Sequence, residues 1–263
     1  MDWIQIIVLS LIQGVTEFLP VSSSGHLILP AQLTDWPDQG LAFDIGVHAG
    51  TLFAVLWYFR LTLTEMAVDF ARYPANRLYT DQIDLALKIG ASTIPIIIVG
   101  FFSRDFVAAE LRTVPVIATT TILFGLGLYW ADRHPGSSDL IDWRTALLIG
   151  SAQILALVPG TSRSGITITA ALLLGLSRTT AARFSFLLAI PTITGAQFLL
   201  SLGVLEEGVG NWSELVSAAA LSGLSAYFCI HYFIALVERT GMLPYVIYRL
   251  LLGSILFAVL LFS

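Results

Sequence analysis

Apolar residues run in long blocks along this chain, and polar residues gather in the short intervals between them. A membrane span needs about 20 mostly apolar residues. Six segments come close to that length: 41–59, 85–103, 113–131, 184–204, 213–237 and 243–262. Four more apolar pieces are too short or are broken. Residues 3–19 run into Pro20, and 26–33 follow a Ser-Ser-Ser-Gly tract. Residues 145–158 run into Pro159, and 165–176 follow Thr-Ser-Arg-Ser-Gly. Proline removes a backbone donor and ends a helix, and irregular backbone at membrane depth is tolerated only inside protein or against a wet cavity. Each short pair is therefore expected to form a helix–loop–helix hairpin that enters the membrane and returns. The other reading, two ordinary kinked spans per pair, leaves the parity of the chain unchanged.

Composition supports this pattern. The 263 residues are 56% hydrophobic and only 12% charged, and the mean hydropathy is +0.83. Soluble domains are roughly 25% charged, so too few polar side chains are present to clothe a water-facing globule. A disordered chain, a nucleic-acid binder and a cytosolic enzyme are all disfavoured. The expected fold is an all-α polytopic membrane protein, one membrane domain over 1–263, with six transmembrane helices and two re-entrant helix hairpins. The net charge of −5 decides little, because the position of each charge matters more than the sum. A single cysteine, Cys229, leaves no intrachain disulfide and no cysteine-based metal site. Met1-Asp2-Trp3 puts no basic residue ahead of the first apolar stretch, so a cleavable signal peptide is not expected.

The two hairpins resemble each other. Pro20-Val-Ser22-Ser23-Ser24-Gly25 parallels Pro159-Gly-Thr-Ser162-Arg163-Ser164-Gly165 with one inserted residue, and Gln13 precedes the first proline much as Gln153 precedes the second. Phe43 to Thr51 and Phe184 to Thr192 have equal spacing. Each half then holds one hairpin and three spans, approximately 1–131 and 141–263. An odd number of spans inverts the second half relative to the first, with a site expected where the broken elements meet. The basic residues orient this plan. Arg60, Arg72, Arg77, Lys88, Arg133, Arg144, Arg178, Arg183 and Arg239 fall on one side, against Arg104 and Arg112 on the other, where 204–213 offers Glu206 and Glu207. Positive-inside places the first side in the cytoplasm and both termini outside.

Ionisable groups at membrane depth are costly and mark function by default. They concentrate in the hairpins: Gln13, Thr16, Glu17, Ser22, Ser23, Ser24 and His26 in the first, and Gln153, Thr161, Ser162, Arg163, Ser164 and Thr167 in the second. Gln13 and Glu17 share a helix face. Ser23 and Arg163 are each expected to begin a helix, whose N-terminal amides and dipole suit an anion. Arg163 adds a planar fork that matches phosphate oxygens. A carboxylate, hydroxyls, an imidazole and a charge clamp are the parts for phosphoryl transfer. Blander readings exist for each: an interfacial Glu, a serine turn, a satisfied His, and an Arg163–Glu17 pair serving as structural glue. Asp44 and His48 either line the same cavity or pair with each other. Arg249 and His231 lack motif support and are read as structural. Gly14, Gly46, Gly50, Gly195 and Gly253 suit close helix packing.

The stretch from Gln13 through Glu17, Pro20 and Ser23 to His26, with Pro159 through Ser162 and Arg163 to Thr167, resembles the undecaprenyl-diphosphate phosphatase family of the bacitracin-resistance type. The resemblance covers the chain in length and span order. It implies a bacterial inner-membrane hydrolase that removes one phosphate from undecaprenyl diphosphate, recycling the lipid carrier of cell-wall peptidoglycan synthesis, with its site opening to the periplasm or outside. It places the family's functional residues on Glu17, Ser23, His26, Ser162, Arg163 and Thr167. Gln13, Ser22, Ser24, His48 and Ser164 are then expected to surround the substrate. A divalent cation, Mg²⁺ or Ca²⁺, is implied as cofactor. The family's first motif position is Glu or Gln, and Gln13 here leaves Glu17 as the one carboxylate, so the ion is expected to be held largely through the diphosphate. Partners are then the polyprenyl diphosphate and the bilayer, with a homodimer as a further expectation and no nucleic acid. The chain also superficially resembles another lipid phosphatase class through Ser24-Gly25-His26, but the His and Asp that class carries after its Ser-Arg are missing here. A flippase or transporter using the same inverted-repeat site is the second reading.

Overall fold

The computed structural model describes residues 1–34, 36–207 and 211–262, and among them the architecture is helical throughout. Eleven α-helices follow one another: α1 (Trp3–Thr16), α2 (Ser23–Leu33), α3 (Gly40–Tyr58), α4 (Arg60–Asn76), α5 (Asp81–Phe106), α6 (Val114–Asp132), α7 (Trp143–Ala152), α8 (Arg163–Leu173), α9 (Arg178–Glu207), α10 (Trp212–Thr240) and α11 (Leu243–Phe262). Six of them are long and apolar enough to cross a membrane: α3, α5 with its π-turn extension Val107–Leu111, α6, α9, α10 and α11. These are the six segments the hydropathy pattern predicts. Of the expected 204–213 connection, residues 208–210 lie outside the described residues.

Polar caps set the helix ends. Asp2, Thr80 and Asp142 accept hydrogen bonds from the amides of Gln5, Ile83 and Thr145, satisfying donors that have no partner within a helix. Asp81 and Asp84 add negative charge to the first turn of α5, where the helix dipole favours it. The 60–88 interval, read from sequence as a loop, is mostly helix. Its residues are too polar to span, but α4 needs only helix propensity and lies against α5. α7 tightens into a 3₁₀ segment, Gln153–Leu157, before the Pro159 turn.

α3 packs along α10, α6 along α11, and α1 on α10, while α9 sits against both α3 and α5. In lipid, helix association depends on close packing rather than on water exclusion. Gly14 and Gly50 show why. A Cβ at Gly14 would lie 1.8 Å from Ser225 Oγ, and one at Gly50 would lie 2.0 Å from the Ala219 carbonyl oxygen. At the end of the bundle that carries most of the basic residues, charges tie the connections together. Arg178 Nε donates to Asp132 Oδ1 at 2.6 Å, while Asp132 Oδ2 accepts from the Met242 amide at 2.9 Å. Lys88 pairs with Asp84 and donates to the Ile141 carbonyl at 2.6 Å. Hydroxyl donation from Ser177 and Thr180 holds the Asp139 carboxyl below the usual carboxylate range.

The arms of the two hairpins, α1–α2 and α7–α8, are shorter than a span. Their tips touch: Ser164 Oγ donates to the Leu19 carbonyl at 2.8 Å. Phe18, fully buried in the first tip, packs edge-on to Phe186 of α9 with ring centroids 5.3 Å apart.

Candidate active site

Ser23 and Arg163 are the first residues of α2 and α8, as their distances from the preceding prolines predict. Each is preceded by a serine cap. Ser22 and Ser162 have φ of 75° and 73°, and their hydroxyls accept from the amides of Gly25 and Gly165. This conformation turns the chain within each tip, and the side chain of the first residue of each helix reaches the same carboxylate.

That carboxylate is Glu17, in the turn after α1 and almost fully buried. Its Oε2 accepts from Ser23 Oγ at 2.6 Å and from Gln13 Nε2 at 3.0 Å. Its Oε1 accepts from Arg163 Nη2 at 3.2 Å. Arg163 also donates through Nη1 to the Ser185 carbonyl at 2.9 Å, and its guanidinium lies 5.8 Å from the centre of the Phe18 ring. The fork is thus braced by α9 rather than free to rotate. His48 of α3 donates from Nδ1 to the Asp44 carbonyl, 2.7 Å away, which fixes the hydrogen on that nitrogen. Its Nε2 faces Glu17 Oε2 at 3.9 Å.

These groups line a cavity of about 210 Å³. The expected residues Glu17, Ser22, Ser23, Ser24, His48, Ser162 and Arg163 line it, with Thr192 and Gln197, and its apolar wall comes mainly from α5 and α9 through Ile96, Ile193, Ala196 and Leu200. The carboxylate can take a proton from the Ser23 hydroxyl, and the guanidinium and two helix N-termini can hold an anion beside it.

Four of the expected residues do not line it. Gln13 stands behind Glu17 and reaches the site through that carboxylate. Ser164 is spent on the Leu19 carbonyl, and Thr167 on the Arg163 and Ser164 carbonyls and Ser185 Oγ. His26 turns away: its Nδ1 lies 2.6 Å from the Ser22 carbonyl and its Nε2 2.6 Å from the Tyr248 hydroxyl, with the two rings stacked. One helical turn beyond Ser23 points the imidazole toward α11, not into the cavity. Asp44 accepts from Gln39 through its carboxylate, so it pairs with His48 only through its backbone. Thr192 and Gln197 of α9 also line the cavity, and Tyr248 of α11 meets His26. The sequence marks Thr192 only by its spacing from Phe184 and does not mark Gln197 or Tyr248, because only the tertiary arrangement brings these helices near.

For a divalent cation, the chain's own donors are sparse. Among the described residues no three His, Cys, Asp or Glu side chains cluster, and Glu17 is the single carboxylate at the cavity. Hard cations take six or more oxygens, so these residues fit an ion completed by phosphate oxygens.

A helical bundle with six membrane-length helices around an ion-paired polar cavity is a multi-pass membrane protein. The chain belongs to the bacitracin resistance protein BacA family, whose model matches residues 6–255. It is similar to undecaprenyl-diphosphatase 2 of Stutzerimonas stutzeri (strain A1501), with 52% identity over 263 residues and 97% of each chain covered.

Proposed function

We propose that this chain hydrolyses undecaprenyl diphosphate to undecaprenyl phosphate and inorganic phosphate at the Glu17–Ser23–Arg163 site. The family and the named relative support the substrate and the reaction class. The observation that carries the chemistry is the 2.6 Å hydrogen bond from Ser23 Oγ to Glu17 Oε2, made beside a buried guanidinium. A serine hydroxyl is un-ionised at neutral pH and needs an adjacent base to attack phosphorus.

In the proposed reaction the diphosphate enters the cavity, with its terminal phosphoryl between the N-termini of α2 and α8. Glu17 takes the Ser23 proton as Oγ bonds to the terminal phosphorus. The bond from that phosphorus to the bridging oxygen breaks, and the lipid phosphate leaves with the electron pair. Arg163 and the helix-end amides stabilise the charge on the transferred oxygens. Water then attacks the phosphoserine phosphorus, the P–Oγ bond breaks, and Glu17 returns its proton to Oγ. The protons of the water leave with the inorganic phosphate, restoring Ser23 and the Glu17 carboxylate. His26 supports this division of labour: both of its ring nitrogens are engaged outside the cavity, so it orients the Ser22–Ser23 turn rather than attacking. A divalent cation, Mg²⁺ or Ca²⁺, would be held by Glu17 and mainly by the diphosphate, and would supply charge neutralisation there. Ser22, Ser24, Ser162 and His48 contact the headgroup in this reading, while Gln13, Ser164 and Thr167 hold the residues that do.

The hairpins are read as re-entrant and the two halves, about 1–131 and 141–263, as inverted repeats. The matched serine caps and the meeting of the tips support that plan. The asymmetric basic residues support a cytoplasmic 60–88 segment, with both termini and the cavity mouth outside. Purified protein should release phosphate from a short-chain polyprenyl diphosphate in detergent. Detergent has no second compartment, so folded protein that releases none across a range of cations would favour translocation instead.

A further inference from the structure

Arg249 is the largest fully buried side chain, at 0% exposure in the middle of α11. Its guanidinium makes five hydrogen bonds, all to backbone carbonyls. Nε donates to Thr121, Nη1 to Pro20 and Thr161 at 3.1 and 3.0 Å, and Nη2 to Gly160 and Thr120 at 2.9 and 3.4 Å. It forms no ion pair with a described carboxylate. Membrane-buried cations pair with a charge of opposite sign or with backbone carbonyls, or line a wet path. Arg249 takes the carbonyls, and it does not line the cavity.

The choice of carbonyls explains it. Pro20 belongs to the first hairpin tip, and Gly160 and Thr161 to the second. The residues that follow are the caps Ser22 and Ser162, both with positive φ, and then Ser23 and Arg163. Such backbone persists only where its surroundings hold it. A guanidinium has five donors in a rigid plane, so one side chain can satisfy both turns and α6 together. We infer that Arg249 is a positioning residue for phosphoryl transfer: by gripping the carbonyls of both tips it fixes the approach of Ser23 and Arg163 to Glu17. Its positive charge, held on the Pro20 and Thr161 carbonyls just before α2 and α8, also favours an anion at the tips. The inference rests on the hydrolase reading above.

The test measures phosphate release from a short-chain polyprenyl diphosphate by the full-length wild type, Arg249→Lys, Arg249→Gln and Gly125→Ala, with thermal unfolding of each. A Cβ at Gly125 would lie 3.2 Å from Arg249 Cβ and 3.4 Å from its Nε, so Gly125→Ala crowds the root of the Arg249 side chain and shifts the guanidinium without removing it. Lysine keeps the charge but cannot span five acceptors. Per folded molecule, kcat should fall at least tenfold in Arg249→Lys and about a hundredfold in Arg249→Gln, with KM within threefold of wild type. Gly125→Ala should lose several-fold in kcat with no loss of thermal stability. A purely structural brace would lower stability and leave kcat of the folded fraction intact. Folded Arg249→Lys with kcat within threefold of wild type overturns the inference. Should neither Arg249 variant fold, an unchanged kcat in Gly125→Ala overturns it. An inactive wild type would instead remove the hydrolase reading, and this inference with it.

Discussion

Ser22 and Ser162 share one backbone geometry, with φ of 75° and 73°, and each hydroxyl caps the amide three residues on. Neither residue is glycine, although a side chain in that sparsely populated region carries a strain of about 1–3 kcal/mol. The hydroxyl is what the turn needs. Alanine would keep the strain and lose the cap, at a cost of about 0.5–2 kcal/mol for the cap alone, whereas glycine relieves the strain and caps nearly as well. Thermal unfolding in detergent should therefore rank Ser162→Ala below Ser162→Gly, with Ser162→Gly close to wild type. The same order should hold at Ser22. Equal losses in the two variants would mean that strain plays no part.

Arg163 divides its fork between Glu17 Oε1 and the Ser185 carbonyl. An ammonium is a point charge on a flexible stem and cannot hold both acceptors in one plane. Arg163→Lys should be nearly as damaging as Arg163→Ala, each losing roughly a hundredfold or more in kcat, the scale of one transition-state donor. A lysine variant that keeps most of the activity would reduce Arg163 to a generic countercharge.

Much of this arrangement is legible in the chain, and the limits are physical. The six spans are read from hydropathy because lipid demands a long apolar run whatever the tertiary contacts. The starts of α2 and α8 are legible because Pro20 and Pro159 interrupt the backbone and the serines that follow can cap. The orientation of His26 is not: one turn of helix past Ser23 fixes its height, while the partner that claims it, Tyr248, lies 222 residues away. Arg249 is passed over for the same reason. Its acceptors are carbonyls, which leave no mark on a sequence, and its neighbours are read as an ordinary span. Helix α4 is hidden because a polar stretch between spans has no hydropathy signal to distinguish helix from loop.

Removal of divalent cations should suppress phosphate release, and added Mg²⁺ or Ca²⁺ should restore it. With one carboxylate at the cavity, the chain alone should bind such ions weakly. The unfolding temperature of substrate-free protein should therefore hardly move at millimolar Mg²⁺, since stabilisation requires occupancy of the folded state. A shift of many degrees would reveal a site built from protein ligands only.

Exposed Arg72 of α4 reports the orientation. In a Cys229→Ser background, a cysteine placed by Arg72→Cys should resist a membrane-impermeant thiol reagent in intact cells and react once they are opened. The excess of Lys and Arg near α4 predicts this. Labelling in intact cells would reverse the assigned orientation.

The attacking atom can be identified by trapping. Ser23 Oγ already donates to Glu17 Oε2 at 2.6 Å, whereas His26 has both nitrogens within 2.6 Å of other partners and lies outside the cavity. Geometry thus favours a phosphoserine over a phosphohistidine, although imidazole needs no activation to attack phosphorus. The two adducts differ chemically: phosphoserine survives acid, and phosphohistidine is lost in acid but survives base. Quenching a reaction with terminally labelled diphosphate should give acid-stable label that persists in His26→Ala and disappears in Ser23→Ala. Glu17→Gln should lose about 10²–10⁴-fold in kcat, the usual contribution of a general base. KM should rise little, because Glu17 carries charge of the same sign as the diphosphate. Acid-labile label that vanishes in His26→Ala would transfer the nucleophile to the imidazole. No label in any variant, with turnover intact in Ser23→Ala, would leave attack to water held by Glu17.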